Sequence, residues 1–455
     1  MALALPWLLA AVALVFGGGG LASVPTSGIV ESVVARITNE TAARVAARRG
    51  VRLTRPLEVR LVDRPQMTAV RDSLSDQAPT PPRRILFDHL GLLDTDLMGP
   101  ARPPTSPQPE ITGLYDPAHE QLLVANWADL ADGRFASIRD VAEVLLDRRF
   151  GLSRWLTVPG AVNFDATLAR QAIVYGDATA QALEDLDSQF GLPSPRALAA
   201  IAEQLRPQFA AERSEGAPLD VQSRLFVELD GLTFVARIRA RSPWRAVDEV
   251  WRHPVESSEQ ILHPEKYERG EKPDNVDGRL SDRADLAPLR RARDRSRIVY
   301  RDTLGEFGTR LFLGRAGDPY RAERAAAGWG GDRALLLRRG DVPESASETR
   351  SGSFVAWLTT WDDDTNAEDF AVEAAHAVAA LAGAPLRDDR PASGQVRITD
   401  ASGRLFAINH QRRVVGLLLD APASAGDLLA RLMSAASPPG PPRRRGAGQG
   451  RGMPR

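Results

Sequence analysis

The sequence predicts a mixed α+β fold: a small β-sheet and a helix pair in the first half, and a second α+β half after them. Three observations carry this. Leu57–Val62 alternates apolar and polar residues with period two, and Gly113–Val124 reads as a hairpin turned at Asp116-Pro117. Two stretches with apolar residues at helical spacing follow, Ile138–Phe150 and Ala166–Leu186. Beyond the glycine cluster Gly328–Gly331 the pattern shifts to strand-like runs at Ala334–Arg338 and Phe354–Leu358, with a helical stretch at Ala367–Ala380.

In chain order, Ile29–Arg49 is expected to be an amphipathic helix, because Ile29, Val33, Val34, Ile37, Ala42, Val45 and Ala46 recur on a helical repeat. Prolines mark Pro79–Pro82 and Pro100–Pro109 as loops around a short helical piece, Ile85–Leu97. The helix pair should turn Val141, Leu145, Ala172 and Ile173 inward. Further helices are expected at Pro195–Gln208, Val221–Arg237, Trp244–Trp251 and Asp302–Leu313, and further strands at Val396–Ile398 and Val414–Leu418. Gly328–Gly331 reads as a turn around a packed Trp329. The tail Ser437–Arg455 holds Pro, Gly and Arg without an apolar pattern and is expected to be disordered.

Composition narrows the function classes. The chain is 43% hydrophobic and 26% charged, as soluble globular proteins are. A net charge of −1 gives no electrostatic case for a nucleic-acid partner. With no cysteine there is no disulfide, no thiolate nucleophile and no Cys-ligated zinc. The apolar run Ala2–Phe16 is short for a membrane span and fits a signal-peptide core. No Lys or Arg precedes it and no A-x-A site follows, so residues 1–25 read as a signal peptide or an uncleaved anchor. On either reading the protein is exported: periplasmic, envelope-tethered or secreted.

Six blocks follow one another along the chain: Gly113-Leu-Tyr-Asp-Pro117, Gly176-Asp-Ala-Thr179, Ser258–Tyr267, Asp302–Gly308, Ala327–Arg333 and Trp357–Asp362. In this order and spacing the chain resembles a family of exported bacterial zincin-like metallopeptidases. Members of that family carry an H-E-x-x-H helix between the first two blocks. The resemblance implies a degenerate zincin-like core over residues 26–250, an accessory α+β region over 251–436 and the tail over 437–455.

It also implies where a zinc site would lie. With the helix anchored on Leu145, Asp147 and Phe150, the two histidine positions fall on Arg139 and Glu143, the general base on Asp140, and the third ligand on Tyr175. Zinc hydrolysis needs two imidazoles one helical turn apart, a carboxylate base and an open position for water. Arginine cannot ligate a cation, because its guanidinium stays protonated and has no free lone pair. The six histidines, His89, His119, His253, His263, His376 and His410, include no pair at ligand spacing. No metal and no cofactor are therefore expected. The Arg139 guanidinium is expected to take over the organising role of the cation, hydrogen-bonded by Glu143 and Tyr175, the alternative being a solvated Arg139–Glu143 pair.

The only two lysines, Lys266 and Lys272, fall in the eleven residues from His263 to Pro273. His263, Glu265, Lys266 and Tyr267 are therefore candidate binding residues, the alternative being a loop lock in which Glu265 and Glu268 pair with Lys266 and Arg269. The leading functional reading is an exported, catalytically inactive metallopeptidase-like protein. It would bind a peptide or protein along the edge strand beside Val124. Two alternatives stand: an enzyme using Asp140, Glu143 or Lys266 as acid and base, and an envelope-tethered interaction protein.

Overall fold

The computed structural model describes residues 27–75, 80–93, 111–127, 132–160, 162–190, 195–205, 219–281, 296–315, 318–339, 350, 352–384 and 395–436. The fold is mixed α+β: a mainly helical first part with a three-stranded sheet, and a six-stranded antiparallel sheet with helices in the second. The apolar run at the N-terminus, Pro100–Pro109 and the Arg-rich tail lie outside the described residues. Among the described residues no helix is long and apolar enough to cross a membrane.

Helix α1 (Ser27–Arg49) packs only its C-terminal half: Ala42, Val45 and Ala46 are buried, whereas Val33 and Ile37, expected on the inner face, are exposed. Strand β1 (Glu58–Val62) follows, then a helix that periodicity did not pick out, α2 (Arg64–Ser75). Next is α3 (Pro81–His89), whose first two residues are the prolines read as loop. Proline suits the first helical turn, where its missing N–H costs nothing. Gly91, at φ +66°, lies just past its end.

The hairpin forms as expected, β2 (Gly113–Asp116) with β3 (Gln121–Ala125), and Asp116 Oδ1 accepts from Ala118 N at 3.0 Å in the turn. The sheet order is β1-β3-β2, with β1 parallel and β2 antiparallel to β3. Val124 therefore belongs to the central strand, and the strands with a free side are β1 and β2.

The helix pair is α4 (Asp132–Phe150) and α6 (Phe164–Phe190), with the short α5 (Leu152–Leu156) between. Val141, Ala142, Leu145, Ala172 and Ile173 are at most 1% exposed, so the apolar faces meet as the pattern predicts. After α7 (Pro195–Leu205) comes the stretch expected as one helix, Val221–Arg237. It is α8 (Leu219–Leu225) and α9 (Gly231–Arg241) joined by a π-helical turn, Phe226–Asp230. Helix α9 crosses α6 with glycine on both sides. A Cβ on Gly176 would lie 2.3 Å from the carbonyl oxygen of Gly231, and one on Gly231 would lie 2.1 Å from that of Ala172. Only glycine permits that approach.

Helices α10 (Trp244–Arg252), α11 (Ser258–Leu262), α12 (Pro264–Glu268) and α13 (Val276–Ser281) lead to the second sheet, of order β4-β5-β6-β9-β8-β7. Its strands are β4 (Arg297–Asp302), β5 (Trp329–Arg338), β6 (Ser353–Trp361), β7 (Gln395–Thr399), β8 (Leu405–Gln411) and β9 (Val414–Ala421). Two of them, β4 and β8, were not read from the sequence. The expected helix Asp302–Leu313 is α14 (Gly305–Gly314), because Asp302 ends β4. Gly330 and Gly331 are strand residues at a bulge rather than a turn, and Trp329 is fully buried. One face of the sheet packs on α3, α14, α15 (Pro319–Ala326) and α16 (Asp364–Leu381), the other on α13 and α17 (Gly426–Ala436).

Candidate functional site

The residues at the implied zinc position do come together. Arg139, Asp140 and Glu143 lie on α4, and Tyr175 on α6 faces them. Arg139 Nη1 donates to Tyr175 Oη at 2.6 Å, and the guanidinium lies over the Tyr175 ring, 4.9 Å from its centroid. Arg139 Nη2 donates to Asp140 Oδ1 at 3.2 Å, whereas Nε stays 3.8 Å from Glu143 Oε1. The expected hydrogen bond from Arg139 to Glu143 is thus an ion pair without hydrogen-bond contact. The Arg139 side chain is 25% exposed, Glu143 22% and Asp140 2%, so the cluster is set into the helix interface with one open side.

A further residue completes it. Tyr175 Oη donates to Glu228 Oε1 at 3.5 Å, and Arg224 Nη1 pairs with Glu228 Oε2 at 3.2 Å. Glu228 sits in the π-turn, and π-turns recur at functional positions because the extra residue re-aims side chains. The glycine crossing of α6 and α9, immediately after Tyr175, holds that turn against α6. Only the Arg224/Glu228 spacing of four hinted at this pair in the sequence.

Burial sets the electrostatics. Desolvation pushes the Asp140 carboxyl up to about 6 against the pull of Arg139. It pushes Glu143 up to about 7, with Asp140 adding repulsion. Desolvation likewise raises the Tyr175 phenol to about 12, although Arg139 opposes it. Burial works to discharge Arg139, but Asp140, Tyr175 and Glu143 more than offset it, and its pKa ends above the usual value. The site keeps a fixed cation beside a carboxyl poised near neutrality. Asp140 Oδ2 is buried without a hydrogen-bond partner.

The Asp of the Gly176-Asp-Ala block has a different task. Asp177 is fully buried and accepts from Arg49 Nη2 at 3.0 Å, Trp251 Nε1 at 2.8 Å and Gln181 Nε2 at 2.9 Å, tying α1, α6 and α10 together.

The second group of candidates lies on α11, α12 and the loop after them. Lys266 Nζ is 2.5 Å from Glu259 Oε1, 2.7 Å from Asp362 Oδ2 and 3.2 Å from Glu271 Oε1. Those three carboxylates form the one group among the described residues spaced to hold a metal ion, with ligand atoms within 4.8 Å of one another, and the ammonium lies among them. Burial disfavours the charge on Lys266, but Asp362 and Glu259 outweigh it and raise its pKa. His263 Nε2 contacts the fully buried Glu306 Oε1 at 3.0 Å, and Tyr267 Oη donates to the carbonyl of His253 at 2.7 Å. Glu265 is nearly half exposed, 3.6 Å from Arg237. A lock is present, but with other partners than the sequence suggested: Lys266 pairs with Glu259, Glu271 and Asp362, and Arg269 with Glu271.

Comparison with known proteins adds one match. A domain of unknown function, DUF8575, matches residues 295–429, which span β4 to the start of α17. No curated protein and no solved structure matches the chain.

Proposed function

We propose that this is an exported member of a zincin-like metallopeptidase family that has given up zinc hydrolysis and retains a peptide- or protein-binding role. The observation that carries this reading is the Arg139–Tyr175 hydrogen bond on facing helices, at the place the resemblance assigns to the metal. A protonated guanidinium there repels a divalent ion and offers it no lone pair. The helix pair, the short sheet beside it and the outer side of β2 are the parts of a peptide-aligning groove that need no metal, since main-chain hydrogen bonds supply the alignment. A zincin-like core with residues 251–436 as an accessory region belongs to the same proposal, as do export and the N-terminal signal or anchor.

An acid–base enzyme is the second reading, favoured by one observation: Glu143, its pKa pushed up to about 7 and its side chain partly open to solvent, can carry a proton at neutral pH. One experiment separates the two. The full chain is incubated with a random peptide library, then scored for retained peptides and for cleavage products. Retention without cleavage, lost on a bulky substitution such as Leu114→Arg in β2, supports the binding protein. Cleavage that Glu143→Gln abolishes supports the enzyme, and neither outcome removes both.

A further inference from the structure

Far from the Arg139 cluster in sequence, three residues meet in an order that carries chemistry. His89 ends α3, Ser353 begins β6 and Asp420 lies near the end of β9. His89 Nδ1 is 2.7 Å from Asp420 Oδ2, and His89 Nε2 is 2.8 Å from Ser353 Oγ. A carboxylate on Nδ1 and a hydroxyl on Nε2 is the polarity of a serine–histidine–aspartate triad, which is recognised by geometry and not by chain order.

The fold builds this contact with visible effort. Strands β6 and β9 are neighbours, with Val355 opposite Leu419, which brings Ser353 and Asp420 to the same end of the sheet. Helix α3 docks on that sheet through Leu86, Phe87 and Leu90, which delivers His89. In the β8–β9 pairing, Leu405 and Ala407 face Ala421 and Leu418, so β9 carries one extra residue there. Asp420 lies in that bulge with φ at +57°, a left-handed conformation that non-glycine residues adopt at a cost. Such strain concentrates where a side chain must be aimed.

The charges suit the roles. The Asp420 side chain is 2% exposed and pairs with Arg404 Nη1 at 2.9 Å, and Arg350 Nε donates to it at 2.9 Å. Burial would raise its pKa, but His89 and Arg350 hold it below the usual range, so it is a carboxylate. Burial keeps His89 below its ordinary value, hence neutral and able to accept a proton at Nε2. Ser353 itself is only partly buried. Its Oγ is also 2.9 Å from the carbonyl of Arg350, which competes for its proton in the resting state.

We propose that Ser353, His89 and Asp420 form a nucleophilic site that takes small activated acyl esters, separate from the Arg139 cluster and independent of metal. Ser353 Oγ adds to the ester carbonyl carbon while its proton passes to His89 Nε2. The bond to the leaving alkoxide breaks, and His89 returns the proton to that oxygen. Water then repeats the sequence and frees the acid, and Asp420 keeps Nδ1 protonated throughout.

The test uses the full chain with a fluorophosphonate probe and p-nitrophenyl acetate. Covalent labelling of Ser353, located by peptide mass spectrometry, is expected, with Ser353→Ala unlabelled while still folded by circular dichroism, at a lowered melting temperature because buried His89 loses its Nε2 partner. His89→Gln should label at least about 100-fold more slowly, the lower end of what a general base contributes. If that variant fails to fold, labelling of the native chain must fall in acid as His89 gains its proton. A native chain that stays unlabelled beside a labelled control hydrolase, a label on another residue, or a rate indifferent to both His89→Gln and acid overturns the proposal.

Discussion

Arg139 and Tyr175, thirty-six residues apart, face each other across α4 and α6 with 2.6 Å between Nη1 and Oη. The guanidinium also lies on the phenol ring, and Asp140 and Glu143 flank it on its own helix. A cation of fixed charge thus holds the two helices by hydrogen bond and ring contact.

Removing that cation should be expensive. Arg139→Ala leaves Asp140 buried without its partner and is expected to cost about 3 kcal/mol, the low end for breaking a buried pair. Urea denaturation of both proteins measures it. Arg139→Lys should recover only part, because an ammonium cannot stack on Tyr175 and reach Asp140 together.

The same cluster makes stability depend on pH. Glu143 and Asp140 titrate at about 7 and about 6 in the folded protein, above their ordinary values. The folded state therefore holds protons that the unfolded state has released. Stability from this source is full below about pH 4 and is lost as pH rises through 7. Glu143→Gln should flatten the fall between pH 5 and 7 in melting curves; an unchanged slope would mean that Glu143 is an ordinary surface carboxylate.

At the α6–α9 crossing, Gly176→Ala must displace backbone, since the new Cβ would meet the Gly231 carbonyl at 2.3 Å. We expect a loss of at least about 1–3 kcal/mol in chemical denaturation, as for overpacked cores. Gly314→Ala, whose Cβ would meet only Ala322 Cβ at 4.0 Å and whose φ is not positive, is the control for a glycine outside any close contact.

Lys266 is expected to behave as the resident cation of its three carboxylates. Lys266→Met leaves Glu259, Glu271 and Asp362 facing one another, so the melting temperature should drop. Millimolar Ca2+, which favours carboxylate oxygens, should then stabilise the variant and not the native chain. Thermal melts with and without Ca2+ read both effects.

Local periodicity made much of this legible. The faces of α4 and α6, the β2–β3 hairpin and the strands β6 and β9 follow from side chains that repeat at 3.6 or two residues. Strand β8 was missed although its residues Leu405–Ile408 are buried, because Asn409, His410 and Gln411 blur its end. The charged ends of β4 hid it in the same way. Tertiary relations were out of reach. Glu228 reaches Tyr175 only through a π-turn and a glycine crossing, neither of which has a periodic signal. The Lys266 cage draws Asp362 from 96 residues away, and Ser353 meets His89 from 264. The misplaced edge strand has the same origin: a hairpin reveals that β2 and β3 pair, but not that β1 adds in parallel on the far side of β3.

Zinc content decides whether Arg139 stands in place of a metal ion. The full chain, purified without chelators and dialysed against micromolar zinc, is assayed by elemental analysis beside Arg139→His/Glu143→His, a variant that restores imidazoles at the two implied ligand positions. Far less than one zinc per native chain is expected, with a gain of zinc in the double variant. One zinc per native chain, released by Glu143→Gln or Tyr175→Phe, would contradict that expectation.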